Sequence, residues 1–188
     1  MKILSLFASP EQAGNTATVL SWVEENLNGN GHELERINLY DKHIIGHCGS
    51  KELGYKDDCD EKPEQPCCSD DAIEVIEQMA QADLILFASP LYGWDVSSSM
   101  KALWERIFTS QQAKNLRGKK AALIITAAGP VEKNADLVGE IFSRSTKFAG
   151  IENLGDLIVP NCTTPEKLDP GVRNRTRMLT TKIEAAFE

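Results

Sequence analysis

Three runs of apolar residues constrain the fold of this 188-residue chain more than any other feature. They lie at residues 3–8, 84–88 and 121–126, and each is followed by a turn and then by apolar residues at helical spacing. Near-continuous apolar runs are typical of parallel strands that are covered on both faces. Two further strands are predicted at 32–39, where apolar and polar residues alternate, and at 151–159.

Five helices are predicted between and after these strands. The first begins at Asn15 and stops before Gly29, and the others span 71–81, 97–110, 134–148 and 169–186. Strands that alternate with helices predict one α/β domain over residues 1–188, with a parallel sheet between two helical layers. The expected strand order is 2-1-3-4-5, as in a flavodoxin-like three-layer sandwich. In such a fold, ligands bind beyond the carboxyl ends of the strands.

The overall charge excludes some functions. The formal net charge is -8, which argues against a nucleic-acid or anionic-membrane surface because both require a basic patch. No apolar run approaches the length that spans a bilayer, and the N-terminus does not resemble a signal peptide. A cytoplasmic location is therefore expected.

The turn after the first strand is predicted to bind one phosphate. It contains Ser9 and Gly14, and Asn15 and Thr16 open the following helix, whose positive N-terminal end favours an anion. The turn lacks the Gly-Lys-Ser/Thr of a triphosphate loop and the G-x-G-x-x-G of a dinucleotide fold. The alternative is an ordinary strand-to-helix turn in which Asn15 or Thr16 is only an N-cap.

The turns after two other strands are predicted to hold a flat aromatic ring. Pro90, Leu91, Tyr92, Gly93 and Trp94 follow the second apolar run, and its Ala-Ser-Pro ending repeats that of the first. The aromatic side chains would cover the ring faces while backbone N–H groups bind its polar edges. The alternative is that Tyr92 and Trp94 pack in the core or at a subunit interface.

The third turn contains small residues that let the backbone approach a ligand closely. They are Thr126, Ala127, Ala128 and Gly129. Together, a phosphate turn, an aromatic turn and a small-residue turn favour a mononucleotide with a planar head group, and FMN is the simplest choice.

Two linked motifs make the chain resemble the NAD(P)H-dependent FMN reductase family of flavodoxin-like flavoproteins. The first reads Ser-Pro-x-x-x-Gly-Asn-Thr at 9–16. The second matches the family pattern S-P-V-Y-x-x-x-V-S-x-x-M-K-x-x-x-D-R at 89–106, except for Leu91 and Glu105. The resemblance implies that Ser9, Asn15, Thr16 and Ala17 surround the FMN phosphate and that Pro90, Leu91, Tyr92 and Trp94 surround the isoalloxazine.

The resemblance also implies an activity. The enzyme would take hydride from NAD(P)H onto bound flavin and pass electrons to a quinone, a flavin, an azo or nitro compound, or a redox protein, without a catalytic side chain. The alternatives are an FMN electron carrier without nicotinamide activity and a ligand-binding regulator. The resemblance also implies a homodimer or homotetramer. Residues 100–101 and 103–104 could form its interface, and the alternative is that they pack within the chain.

A cysteine-containing loop is predicted at about 40–69. The iron–sulfur flavoprotein branch of the superfamily carries a compact cysteine motif in this region. Here the spacing is irregular and there is no C-x-x-C, which favours free thiols or a disulfide over a metal; an iron–sulfur cluster or zinc is the alternative. His43 and His47 are expected in solvent, and Cys162 is expected to be structural. The four cysteines of the loop are Cys48, Cys59, Cys67 and Cys68.

Overall fold

The computed structural model describes residues 1–29, 31–46, 70–110 and 112–188. They form a parallel sheet of five strands in the order β2-β1-β3-β4-β5, which confirms the predicted flavodoxin-like arrangement. The strands are β1 (Lys2–Phe7), β2 (Glu33–Asn38), β3 (Leu84–Pro90), β4 (Lys120–Thr126) and β5 (Glu152–Val159). The helices are α1 (Asn15–Asn28), α2 (Ala72–Gln81), α3 (Ser98–Thr109), α4 (Val138–Ala149) and α5 (Gly171–Ala185).

The helices form one layer on each face of the sheet. Val19 of α1 and Ile183 of α5 pack in the apolar cluster on one face, whereas Val75 of α2, Met100 of α3 and Phe142 of α4 pack in the cluster on the other. All seven residues of the central strand β3 are buried. Its near-continuous apolar sequence follows from this double coverage, because each of its faces contacts a helical layer.

Backbone hydrogen bonds continue beyond the strand ends and align the three predicted turns at one edge. The N–H of Ala8 donates to the carbonyl of Ala88 at 2.8 Å, and the N–H of Leu91 donates to Thr126 at 2.8 Å. The N–H of Ala127 likewise donates to Val159 at 2.9 Å. The turns after β1, β3 and β4 therefore lie side by side, at the edge where a ligand is expected.

The fourth helix begins later than predicted. Residues Val131–Ala135 form a separate wide turn that contains Lys133 at φ 59°, and α4 begins only at Val138. The positive φ of Lys133 breaks right-handed helical geometry just before the predicted start, and residues 136 and 137 form a further turn before α4. The apolar spacing predicts that Leu137 faces inward, but its side chain is 61% exposed.

Of the two alternatives for the apolar residues of α3, packing within the chain is the one that the structure confirms. Met100, Leu103 and Trp104 are buried within the chain. The indole of Trp104 lies 6.2 Å from the ring of Phe87 and 5.9 Å from that of Phe142, measured between ring centroids. Helical spacing of apolar residues indicates a buried face, and here the sheet covers that face.

The two chain ends that border residues 47–69 are joined by hydrogen bonds. The backbones of His43 and Ile45 donate to the carboxylates of Asp71 and Asp70, at 2.7 and 2.9 Å. The guanidinium of Arg106 on α3 lies 2.5 Å from Asp70, and both side chains of this ion pair are almost fully buried. Residues 40–46 belong to the predicted cysteine-containing loop, whereas all four of its cysteines and His47 lie outside the described residues.

Candidate functional site

The first turn presents hydrogen-bond donors without acceptors. Gly14 is the N-cap of α1 and no side chain caps this helix, so the alternative in which Asn15 or Thr16 is the N-cap is wrong. Within the part of the chain that the structure describes, the N–H groups of Asn15, Thr16 and Ala17 have no acceptor. A helix N-terminus with unpaired donors is an anion-binding arrangement.

A close turn shapes the backbone before the helix. The buried hydroxyl of Ser9 accepts a hydrogen bond from the N–H of Glu11 at 3.2 Å, and the N–H of Gly14 donates to the carbonyl of Glu11 at 3.2 Å. A Cβ on Gly14 would lie 3.0 Å from both Cβ and Oε2 of Glu11. A side chain at position 14 would therefore crowd Glu11, so glycine is what permits this close turn before the helix.

A hydrogen bond between two threonines joins the first and third turns. The hydroxyl oxygens of Thr16 and Thr126 lie 2.7 Å apart and both side chains are buried. Thr16 is therefore engaged with the end of β4. Next to it, Oδ1 of Asn15 is buried and has no hydrogen-bond partner. A buried acceptor without a partner requires an explanation, and a ligand group that donates a hydrogen bond to it is one.

The second turn is a tight two-residue hairpin that exposes its aromatic side chains. The N–H of Tyr92 donates to the carbonyl of Asp95 at 2.8 Å, and the N–H of Asp95 donates back at 3.2 Å. The two central residues, Gly93 and Trp94, have φ 56° and 66°, as in a type I′ turn. Tyr92 is 50% exposed and Trp94 is 66% exposed, so their predicted alternative as core residues is wrong.

Buried serines hold the second turn against the first. The Ser89 hydroxyl accepts from the N–H of Ser97 at 2.9 Å and donates to the carbonyl of Pro90 at 2.8 Å. The Ser97 hydroxyl donates to the carbonyl of Ala8 at 2.8 Å, which ties the start of α3 to the end of β1. Sequence reasoning assigned no role to Ser97, although it stands at a fixed position of the motif over 89–106.

The groups around Tyr92 keep its phenol protonated. Partial burial raises the pKa of Tyr92, and the neighbouring Tyr40 and Glu11 raise it further. The phenol is therefore a neutral hydrogen-bond donor at ordinary pH.

The third turn is packed from behind by the segment after β5. The N–H of Asn161 donates to Gly129 at 3.0 Å, and the N–H of Cys162 donates to Ala127 at 2.9 Å. Ala127 is buried and Ala128 is exposed. Cys162 is buried, as expected of a structural residue, and burial raises the pKa of its thiol.

The three turns fit an FMN-like ligand: unpaired donors for one phosphate lie beside exposed aromatic side chains for one ring. Among the described residues, no cluster of His, Cys, Asp and Glu is arranged to hold a metal ion. Nor does any described helix have the length and apolarity to cross a membrane.

Comparisons with known proteins agree with this arrangement. An "Iron-sulfur flavoprotein" of Archaeoglobus fulgidus is 27% identical over 188 residues, covering 100% of this chain and 81% of the relative. An "FMN-dependent NADH:quinone oxidoreductase" of Alkalilimnicola ehrlichii is 23% identical over 177 residues, covering 81% of each chain. The solved structure of an FMN-dependent NADH-azoreductase from Bacillus anthracis in complex with FMN has a TM-score of 0.76 at 15% identity, over 97% of this chain and 99% of the other.

The family model named "NADPH-dependent FMN reductase" matches residues 1–138, which include all three turns. This match confirms the resemblance drawn from the two motifs, and it supports FMN as cofactor and NAD(P)H as co-substrate. The chain belongs to the NADPH-dependent FMN reductase family of oxidoreductases.

Proposed function

We propose that this protein binds FMN across the three turns and uses it to oxidise NAD(P)H at the expense of a second acceptor. The observation that carries the proposal is the pairing of unpaired N–H donors at 15–17 with the exposed Tyr92 and Trp94 at one sheet edge. When bound, FMN supplies hydride and single-electron transfer, which no amino-acid side chain provides.

The first turn would bind the phosphate through its backbone. The N–H groups of Asn15, Thr16 and Ala17 and the positive end of α1 attract a dianion without a cation. Gly14 permits the close turn before the helix, and Ser9 fixes this turn through its bond to Glu11. The Thr16–Thr126 bond holds this turn at a constant distance from the third.

The second and third turns would orient the ring. Backbone groups of Pro90, Leu91 and Gly93 line one side, and the small residues at 126–129 line the other. Trp94 projects from the hairpin, where it can cover a flat molecule stacked on the ring. The acceptor would be a small flat molecule such as a quinone, a flavin, or an azo or nitro compound, or else a redox protein.

Purified protein tests the proposal directly. It is expected to be yellow or to take up FMN, and to consume NADPH or NADH when a quinone, azo or nitro acceptor is present. A protein that binds no flavin would refute the proposal. Flavin uptake without any NAD(P)H oxidation would favour an electron carrier, for which the net charge of -8 would suit docking on a basic partner.

The metal content of the cysteine-containing loop can be measured independently of flavin binding. From the irregular spacing we expect free thiols or a disulfide at Cys48, Cys59, Cys67 and Cys68, and an iron–sulfur cluster is the alternative, as in the name of the Archaeoglobus relative. Iron and acid-labile sulfide in anaerobically purified protein are expected to be near zero. Stoichiometric iron and sulfide would establish the cluster.

A homo-oligomer is also proposed, with an interface on the α4 segment, because the apolar residues of α3 are buried within the chain. In support, Leu137 and Phe148 of the α4 segment are 61% and 75% exposed, and Phe148 lies edge to face with the exposed Phe108 of α3. A second copy that packs on these rings would bury them. Sedimentation should show a dimer or tetramer that Phe148→Glu weakens; a monomer would contradict this. The cytoplasmic location predicted from the sequence remains a prediction.

A further inference from the structure

We propose that Glu11 competes with the phosphate of FMN for the positive end of α1, and so limits how tightly FMN is held. Glu11 would then determine specificity between phosphorylated and unphosphorylated flavin. This inference rests on the proposed function, because it concerns the same phosphate turn.

The carboxylate of Glu11 is close to the anion position. Its Oε2 lies 3.0 Å from the place that a Cβ would take on Gly14, the N-cap residue of α1. The side chain of Glu11 is exposed, and within the described ranges its carboxylate has no hydrogen bond or ion pair. A negative charge in this place is attracted by the helix dipole in the same way as a phosphate.

No acidic side chain of α1 itself neutralises the positive end of the helix. The first turn of α1 contains no acidic residue and no basic one follows in its last turn. The unpaired N–H groups at 15–17 therefore attract an anion, and the preceding turn places the Glu11 carboxylate next to them. A bound phosphate has to displace the Glu11 carboxylate or tolerate it nearby.

The second turn gives independent evidence of where the carboxylate points. Glu11 is one of the charges that raise the pKa of Tyr92, which lies on the hairpin after β3. Glu11 is therefore within electrostatic range of the aromatic hairpin as well as close to the N-cap of α1. Two like charges several ångströms apart repel even at the protein surface, and salt weakens this repulsion.

The consequence for function is exchange of the flavin. A phosphate that is held against a carboxylate leaves more readily, so FMN would be released and rebound during turnover rather than retained permanently. Riboflavin, which lacks the phosphate, would not meet this repulsion. The wild-type protein should therefore prefer FMN over riboflavin about tenfold less strongly than a variant without this charge.

Replacement of the charge tests the inference. Glu11→Gln keeps the shape of the side chain and removes its charge. In titrations of flavin fluorescence at low salt, we expect E11Q to bind FMN about tenfold more tightly than wild type and riboflavin with unchanged affinity. The gain for FMN should shrink as salt is added.

The control variant is Glu25→Gln, which makes the same change of net charge on the exposed side of α1. Position 25 lies about 16 Å along the helix from Gly14, at about 1.5 Å per residue, so E25Q should leave both affinities unchanged. The inference is overturned if E11Q leaves the FMN affinity unchanged, or tightens riboflavin as much as FMN. Wild-type protein that binds neither flavin would instead overturn the proposed function on which it rests.

Discussion

The turns after β1 and β3 share the tripeptide Ala-Ser-Pro, yet they expose opposite parts of the chain. The first leaves backbone donors unpaired at the start of α1, whereas the second satisfies its backbone in a hairpin and exposes Tyr92 and Trp94. In both turns the serine hydroxyl accepts a hydrogen bond from a backbone N–H. The donor is Glu11 in the first turn and Ser97 in the second. The same local chemistry thus supports a polar site and an aromatic site side by side.

This difference predicts which substitutions should impair ligand binding at each turn. A turn that binds through its backbone is damaged by an added charge or added volume next to its N–H groups. A turn that binds through side chains depends on the helix behind it to hold those side chains in place. Variants at the two turns, and at the contacts that support them, separate these two modes.

The largest effect on stability is expected at the buried ion pair of α3, the helix that follows the aromatic turn. Arg106→Met leaves Asp70 buried without its partner, which should lower the free energy of unfolding by about 3–5 kcal/mol. Chemical denaturation measures this loss. The control is Arg144→Met, which breaks an exposed pair with Glu140 and should cost less than about 0.5 kcal/mol. Equal losses in both variants would show that Asp70 does not anchor α3.

The next effect is expected at the backbone turn. Asn15→Asp has nearly the same shape, and a carboxylate in the first turn of α1 suits the helix dipole, so the fold should be retained. Its charge should repel the FMN phosphate and weaken FMN binding about 100-fold at low salt, while riboflavin binding changes less than about threefold. Asn28→Asp at the other end of α1 is the control. Equal losses for FMN and riboflavin would mean that the phosphate does not bind here.

A smaller effect is expected where the first and third turns meet. Thr16→Val leaves the buried hydroxyl of Thr126 unpaired and should cost about 1–2 kcal/mol of stability. The double variant with Thr126→Val should cost less than the sum of the two single changes, because neither hydroxyl then lacks a partner. Additive losses would contradict a direct bond. Thr18→Val, whose hydroxyl donates to a carbonyl of its own turn, is the control.

The smallest effect has the opposite sign. Trp94 has a positive φ, which costs a bulky residue about 1 kcal/mol or more, so Trp94→Gly should raise the free energy of unfolding by about 0.5–1 kcal/mol. The same variant should lower kcat/KM for a flat acceptor about tenfold, whereas Trp94→Phe should keep most of the activity. A destabilised W94G variant would show that the indole contributes to the fold rather than to a ligand site.

Much of the fold could be predicted because the apolar pattern reports burial directly. The runs at 3–8, 84–88 and 121–126 correspond to β1, β3 and β4, and their turns meet at one edge. The same pattern cannot show which surface covers an apolar helix face. It therefore allows a subunit contact for Met100 and Trp104, although the sheet covers them, and it predicts Leu137 inside, although this side chain is exposed.

The meeting of the three turns at one edge was predictable, whereas their detailed geometry was less so. Gly93 indicates a turn, but nothing in the sequence predicts that Trp94 adopts a positive φ, because this is an unfavourable conformation for tryptophan. The bond between Thr16 and Thr126 joins residues far apart in the chain, so no local pattern reveals it. The site residues themselves await the flavin-binding measurements.

The junction at Ile45 and Asp70 holds together two parts of the chain that are 25 residues apart in sequence. Hydrogen bonds between 43–45 and 70–71 bring the two ends together and fix them to α3 through Arg106. Because hydrogen bonds among described residues already hold the two ends together, the entropic cost of joining them by a longer or shorter segment grows only slowly with its length. A protein engineer could graft a different peptide between these two residues and leave the sheet, the phosphate turn and the aromatic hairpin as they are.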